Sequence, residues 1–127
     1  MKFSHEKPPI YEQCKKEFGI DWESIVITYG DTVYSKHPLS EDLKAHEKVH
    51  IEQQTTMGKE IWWDKYFADP DFRLSQEVPA YKAQLEFAKN NYNRAGRRRS
   101  EKHIYYSMAH FYGNMCRSEE EAKELLQ

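Results

Sequence analysis

The sequence predicts an α+β fold that is mostly α: one small β-hairpin packed on a motif-bearing helix and on the helices that follow it. Three observations predict it. Strand signals concentrate in one place, Ser24 to Ser35, where β-branched and aromatic residues flank a Gly30-Asp31 turn. Beyond Pro38, helix caps and stops recur almost to the end of the chain. And 127 residues, 14% of them aromatic, suit a single domain over 1–127 whose core forms without disulfide staples.

Taken in order, Ile10 to Phe18 reads as a short helix closed by Gly19. Ser24-Ile25-Val26-Ile27-Thr28-Tyr29 and Thr32-Val33-Tyr34-Ser35 are the two strands, joined by a two-residue Gly-X turn. Ser40 is a natural N-cap, with Glu41 and Asp42 favourably placed in the first turn. The helix it opens runs to about Met57, where Gly58 offers a stop. Gly58 to Ala68 is an aromatic-rich connector carrying Trp62, Trp63, Tyr66 and Phe67. Asp69-Pro70 pairs an N-cap with proline at the first helical position, opening a helix to about Tyr92 that Pro79 should kink or delay. Gly96 and the arginines around it read as a turn, and Glu101 to Cys116 as a further helix. Ser118-Glu119-Glu120-Glu121 caps and opens a short acidic helix at the end.

Composition excludes several function classes. Charges of both signs are interspersed and the net charge is only -2, which argues against a nucleic-acid partner. The one basic concentration, Arg94, Arg97, Arg98, Arg99 and Lys102, lies beside Gly96 and Ser100 and reads as a solvated loop. No apolar run approaches membrane-spanning length, so no membrane role is expected. The first residues lack the apolar stretch of a secretory signal. Cys14 and Cys116 form no C-x-x-C pair and fit a reduced, cytoplasmic protein, with an end-to-end bridge as the alternative.

His46-Glu47-Lys48-Val49-His50 carries the chemistry. On a helix, residues four apart stand one above the other, so both imidazoles reach one ion. Glu47 projects beside them, within reach of a water that the ion has acidified, and is therefore a general base rather than a ligand. The helical wheel supports this reading over a chance motif. At roughly 100° per residue, Leu43, His46, Glu47, His50, Gln54 and Met57 share one face, while Ala45 and Val49 lie opposite. The stripe best placed to face a core is mostly polar, and burying it without a partner ion is costly.

A third ligand must come from elsewhere. The extension H-E-x-x-H-x-x-G-x-x-H, which would supply another histidine, is absent: Gln53 stands at the glycine position and Thr56 at the last histidine. Glu77 is the best candidate. Leu74, Val78, Tyr81, Leu85, Ala88 and Tyr92 form an apolar stripe, and Glu77 sits at its edge between Leu74 and Tyr81, whereas Glu86 falls outside it. Three protein ligands and an open position are the usual arrangement of catalytic zinc. A di-iron carboxylate bundle would need a second Glu-x-x-His on another helix, and the sequence has none.

His46 to Gln54, followed downstream by Glu77-Val78-Pro79-Ala80-Tyr81, resembles the gluzincin branch of the zincin metallopeptidases. It is similar above all to the minimal single-domain forms and to short metallopeptidases carried on bacteriophage genomes. The resemblance covers roughly Ile25 to Gln84 and implies a zincin-like fold and zinc-dependent hydrolysis of peptide bonds. It implies that His46, His50 and Glu77 bind Zn2+ and that Glu47 activates water. It also implies a peptide or protein substrate and, if the chain is phage-encoded, a host cytoplasm. Pro79, so close after Glu77, departs from the family pattern.

Peptide hydrolysis also needs a donor for the oxyanion that forms as water attacks the carbonyl. The helix Glu101 to Cys116 offers His103, Tyr106 and His110 on one face, beside an apolar face of Ile104, Met108, Phe111 and Met115. His103 is the first choice, with Tyr81 an alternative. The hairpin could hold substrate as an added strand, and Trp62 or Trp63 could line a pocket or pack the core. The competing function is a zincin-like module that binds metal and a protein partner with little turnover.

Overall fold

The computed structural model describes residues 1–110 and 115–127. Their order is β1 (Lys2–Ser4), α1 (Tyr11–Phe18), β2 (Val26–Tyr29), β3 (Thr32–Ser35), α2 (Glu41–Met57), α3 (Lys59–Ala68), α4 (Pro70–Asn91), α5 (Arg94–His110) and α6 (Glu119–Leu126). The fold is thus α+β and mostly α, as expected. No helix among the described residues is long and apolar enough to cross a membrane.

The hairpin forms as predicted, with Ile27 opposite Tyr34 and Thr28 opposite Val33 in antiparallel register. A third strand joins it: β1 pairs parallel to β3, giving the order β1-β3-β2. Three residues are too few to show alternation, so sequence pattern could not announce β1. β2 is left as an edge strand, facing the helices.

Three helical expectations change. The aromatic connector is itself a helix, α3, entered through Gly58 at φ 95, a value that favours glycine. α4 runs unbroken through Pro79. Proline removes the bond to the Ser75 carbonyl, but Ser75 and Pro79 both lie on the exposed face, where solvent reaches that carbonyl. The arginines expected in a turn open α5 instead. Asn93 caps that helix, its Oδ1 accepting from the Gly96 N–H at 2.8 Å. Gly96 permits a close approach, since a Cβ there would stand 3.1 Å from the Tyr92 Cβ. Phe111, placed by pattern on the apolar face of this helix, lies outside the described residues.

Two apolar clusters flank the centre. One joins Tyr11, Cys14, Ile27, Trp62, Trp63 and Tyr66; the other joins Tyr81, Ile104, Met108, Cys116, Ala122 and Leu126. Both tryptophans pack in the first cluster, and the two cysteines are free, buried and in different clusters. Between the clusters, α2 packs on α4 through polar side chains. Every residue α2 buries is polar: Asp42, His46, Glu47, His50 and Gln54.

Gln54 ties this seam to the sheet. Its Nε2 donates to the Thr28 carbonyl at 2.8 Å and its Oε1 accepts from the Gly30 N–H at 2.7 Å, clamping the hairpin onto α2. At the other end of α2, Asp42 receives Ser40 and Tyr92 hydroxyls on Oδ1, and Gln84 and Ser100 on Oδ2. These donors outweigh the opposing effect of burial and hold its carboxyl below the ordinary value. Gln54→Ala strips both hairpin contacts and is expected to cost about 2–3 kcal/mol. Urea unfolding of the variant checks this; a loss within error of zero would contradict the clamp.

Candidate metal centre

The helix α2 presents His46, Glu47 and His50 inward because they occupy its buried face, and α4 brings Glu77 from the opposite side. His50 Nε2 lies 3.1 Å from His46 Nε2 and 2.7 Å from Glu77 Oε1, and His46 Nε2 lies 3.2 Å from the same oxygen. Three lone-pair atoms therefore meet in a small triangle. A zinc ion with bonds of about 2.0–2.1 Å in tetrahedral geometry sets its ligand atoms about 3.3–3.4 Å apart. The observed edges are within a few tenths of an ångström of this for two of the three pairs. The residues fit a tetrahedral ion with one position left open.

Glu47 stands differently. His46, Glu47 and His50 offer ligand atoms within 4.8 Å of one another. Yet Glu47 Oε2 is 3.5 Å from His46 Nε2, farther than Glu77 Oε1 is from either imidazole. The other Glu47 oxygen accepts from the Thr28 hydroxyl at 3.1 Å. Oε1 is thus held by the sheet and Oε2 faces the centre beside the ligand triangle.

A surrounding set of hydrogen bonds orients these groups. Gln53 Nε2 donates to the Gln76 carbonyl at 3.0 Å, which fixes the amide so that its oxygen faces His50 Nδ1 at 2.9 Å. Nδ1 then keeps its proton, so the one that His50 gives up to an ion is the Nε2 proton now directed at Glu77. Tyr66 donates to Glu77 Oε2 at 2.6 Å, turning Oε1 toward the imidazoles. His46 Nδ1, buried, has no hydrogen-bond partner among the described residues. Its ring is placed by packing instead, edge to face with Tyr81 at 4.4 Å and with His50 at 4.8 Å.

Burial and charge set the protonation states. Burial works against a charged His50, but the Glu77 carboxylate overcomes it and lifts the imidazole to about 9. Burial likewise opposes ionised Glu77, and the two imidazoles outweigh it, holding the carboxyl well below the usual range. Glu47 goes the other way: burial raises its carboxyl, only partly offset by His46 and His50. Burial thus raises one carboxyl, while the imidazoles hold the other down. Burial also keeps the Tyr81 hydroxyl protonated, reinforced by Glu77 and Glu47, with Ser107 as its hydrogen-bond partner.

A cavity of about 460 Å³ opens beside the cluster. His46, Glu47, His50 and Glu77 line it together with Tyr81 on α4 and His103 on α5. All five site residues chosen from sequence, Glu47 and His103 as catalytic and His46, His50 and Glu77 as ligands, therefore border one space. His103 is exposed at its rim, while Tyr81 is buried against His46. Tyr106 is half exposed and packs at a tilt against His110, with ring centroids 4.4 Å apart. Sequence reasoning did not single out Thr28, Gln53, Tyr66 or Gln76. Thr28, Gln53 and Tyr66 each hold a site residue from behind and Gln76 holds Gln53 in turn, and no spacing rule marks such partners.

Among known proteins, no family model, curated sequence or solved structure matches the chain. The chemistry is therefore assigned from these side chains alone. Metal must displace the proton that His50 carries below about 9, so apparent zinc affinity is expected to rise with pH. Competition against a chromophoric chelator between about pH 6 and pH 8 should show close to a tenfold gain per unit. A flat profile would contradict the raised His50 imidazole.

Proposed function

We propose that the protein hydrolyses peptide bonds with a zinc ion held by His46, His50 and Glu77, in the manner of a minimal gluzincin. The observation that carries the reading is the convergence of two Nε2 atoms and one carboxylate oxygen, with a second, separately held carboxylate alongside. Zinc bound there supplies a Lewis acid that polarises a carbonyl and acidifies water at neutral pH.

The chain's own groups supply the rest. Glu47 Oε2 takes the proton from the attacking water, and the raised carboxyl then delivers it to the departing amine nitrogen. Thr28 keeps Oε1 out of that exchange. Gln53 and Tyr66 hold His50 and Glu77 so that neither ligand reorganises when charge develops. His103 at the rim and the protonated Tyr81 hydroxyl are the candidate donors to the oxyanion. The substrate is a peptide or protein segment entering the cavity.

A second reading has its own support. His46, Glu47, His50 and Glu77 are each no more than 5% exposed, a depth that also suits a metal-binding interaction module with little turnover. Glu47→Gln separates the two. In an enzyme the variant keeps one zinc per chain and loses peptide hydrolysis by about 10²–10⁴-fold. If zinc-loaded wild-type protein cleaves no member of a diverse peptide library, or if E47Q cleaves as fast as wild type, the hydrolase reading fails.

A further inference from the structure

Two cavities meet along α5. The one beside the metal ligands and a second, of about 560 Å³, share Leu43 and His103 as a common wall. The second extends to the start of α5, where Arg99 lines it. Arg99, His103 and His110 are spaced by four and seven residues and lie on one face of the helix. From Arg99 to His110 that face runs about 16 Å, the length of about five extended residues. α5 is one wall of a trough that passes the metal centre.

The far end of this trough is cationic. Arg99 lines it, Arg98 and Lys102 stand on the adjoining face of α5, turned roughly 60–100° from Arg99, and Arg94 lies further round; all four are exposed. None of them has an ion-pair partner among the described residues; Arg97 does, in Glu101 at 2.9 Å. The first turn of α5 carries no acidic residue. Cations concentrated there oppose the helix macrodipole, a cost that an anionic partner would offset. Asp42 is the one carboxylate among the described residues lining the second cavity. Both of its oxygens are occupied by Ser40, Tyr92, Gln84 and Ser100, so it offers no free acceptor to an amine.

We infer that the trough takes an acidic polypeptide segment, its aspartates or glutamates engaging Arg99 and, beside it, Arg98 and Lys102, while the chain continues past His103 to the metal centre. Cutting of that segment rests on the hydrolase reading; its docking does not. Both halves of the inference come from placement: two adjoining cavities that share Leu43 and His103, and cations without ion-pair partners beside the second, whose one carboxylate, Asp42, is already held by four donors.

The test uses zinc-loaded full-length E47Q protein, with metal-free wild-type protein as a second receptor that cannot cleave. Each is titrated with a fluorescent peptide bearing a run of glutamates and with its glutamine counterpart. The acidic peptide is expected to bind roughly tenfold more tightly, with the advantage shrinking as salt rises. The double substitution Arg98→Glu and Arg99→Glu should abolish that advantage without changing zinc stoichiometry. Equal binding of the two peptides, or no effect of the substitutions, overturns the inference. So does tighter binding of single-stranded RNA through the same arginines. Wild-type cleavage is scored separately on the diverse peptide library: acidic docking with no member cleaved keeps the trough and removes the hydrolase, while cleavage without charge preference does the reverse.

Discussion

The contact between His50 and Glu77, 2.7 Å across the α2–α4 interface, is the constraint to which the surrounding structure is fitted. Two ionisable groups leave water there, and removing one partner of such a buried pair typically costs about 3–5 kcal/mol. Neither can be left loose. Gln53 on α2 fixes the imidazole, and Tyr66 on α3 fixes the carboxylate. The polar seam continues in both directions, to Gln54 at the sheet and to Asp42, Gln84 and Ser100 at the other end. A helix that buries only polar side chains would be a poor core element on hydrophobic grounds. It is kept in place because each buried side chain, through at least one of its polar atoms, finds a partner on a neighbouring element.

The apolar clusters supply what the seam cannot. Trp62, Trp63 and Tyr66 on α3 stack behind the ligand side, with Trp62 edge-on to His50 at 5.5 Å and parallel to Tyr66 at 4.8 Å. Trp62 also donates to the Gln76 side-chain oxygen at 2.9 Å, and Trp63 to the Thr28 carbonyl at 3.1 Å. One helix thereby packs the core and braces both the sheet and α4. Arg73, buried, donates to the Tyr66 carbonyl at 2.6 Å and closes the end of α3 where the dipole favours a cation. The His46–His50–Glu77 cluster is thus held by aromatic packing on one side and directed hydrogen bonds on the other.

Much of this was legible in the chain, and the exceptions have a common cause. The boundaries of α2 followed from Ser40 and Gly58, and its inward face from the positions of His46, His50 and Gln54. Glu77 could be picked out because it borders an apolar stripe while Glu86 does not. That stripe, however, is not the centre of the buried face: α4 hides Arg73, Glu77, Tyr81 and Gln84, with Leu74, Val78 and Leu85 only partly covered. Periodicity counts apolar residues and is blind to a polar seam. The same blindness left α3 as a connector, since Trp62, Trp63 and Tyr66 bury too much of one short segment to show an amphipathic period. The start of α5 was misread because arginines signal solvent exposure, which they have, and exposure alone does not distinguish loop from helix.

The central claim is that His46, His50 and Glu77 ligate one ion. X-ray absorption at the zinc edge, on protein loaded with one equivalent, reads this directly. The account predicts a four-coordinate centre with two imidazoles at about 2.0–2.1 Å and light oxygen donors completing it. Glu77→Gln should alter the oxygen shell while the imidazole signature persists. A spectrum with sulfur ligands, with a single imidazole, or unchanged by the Glu77 substitution would contradict it.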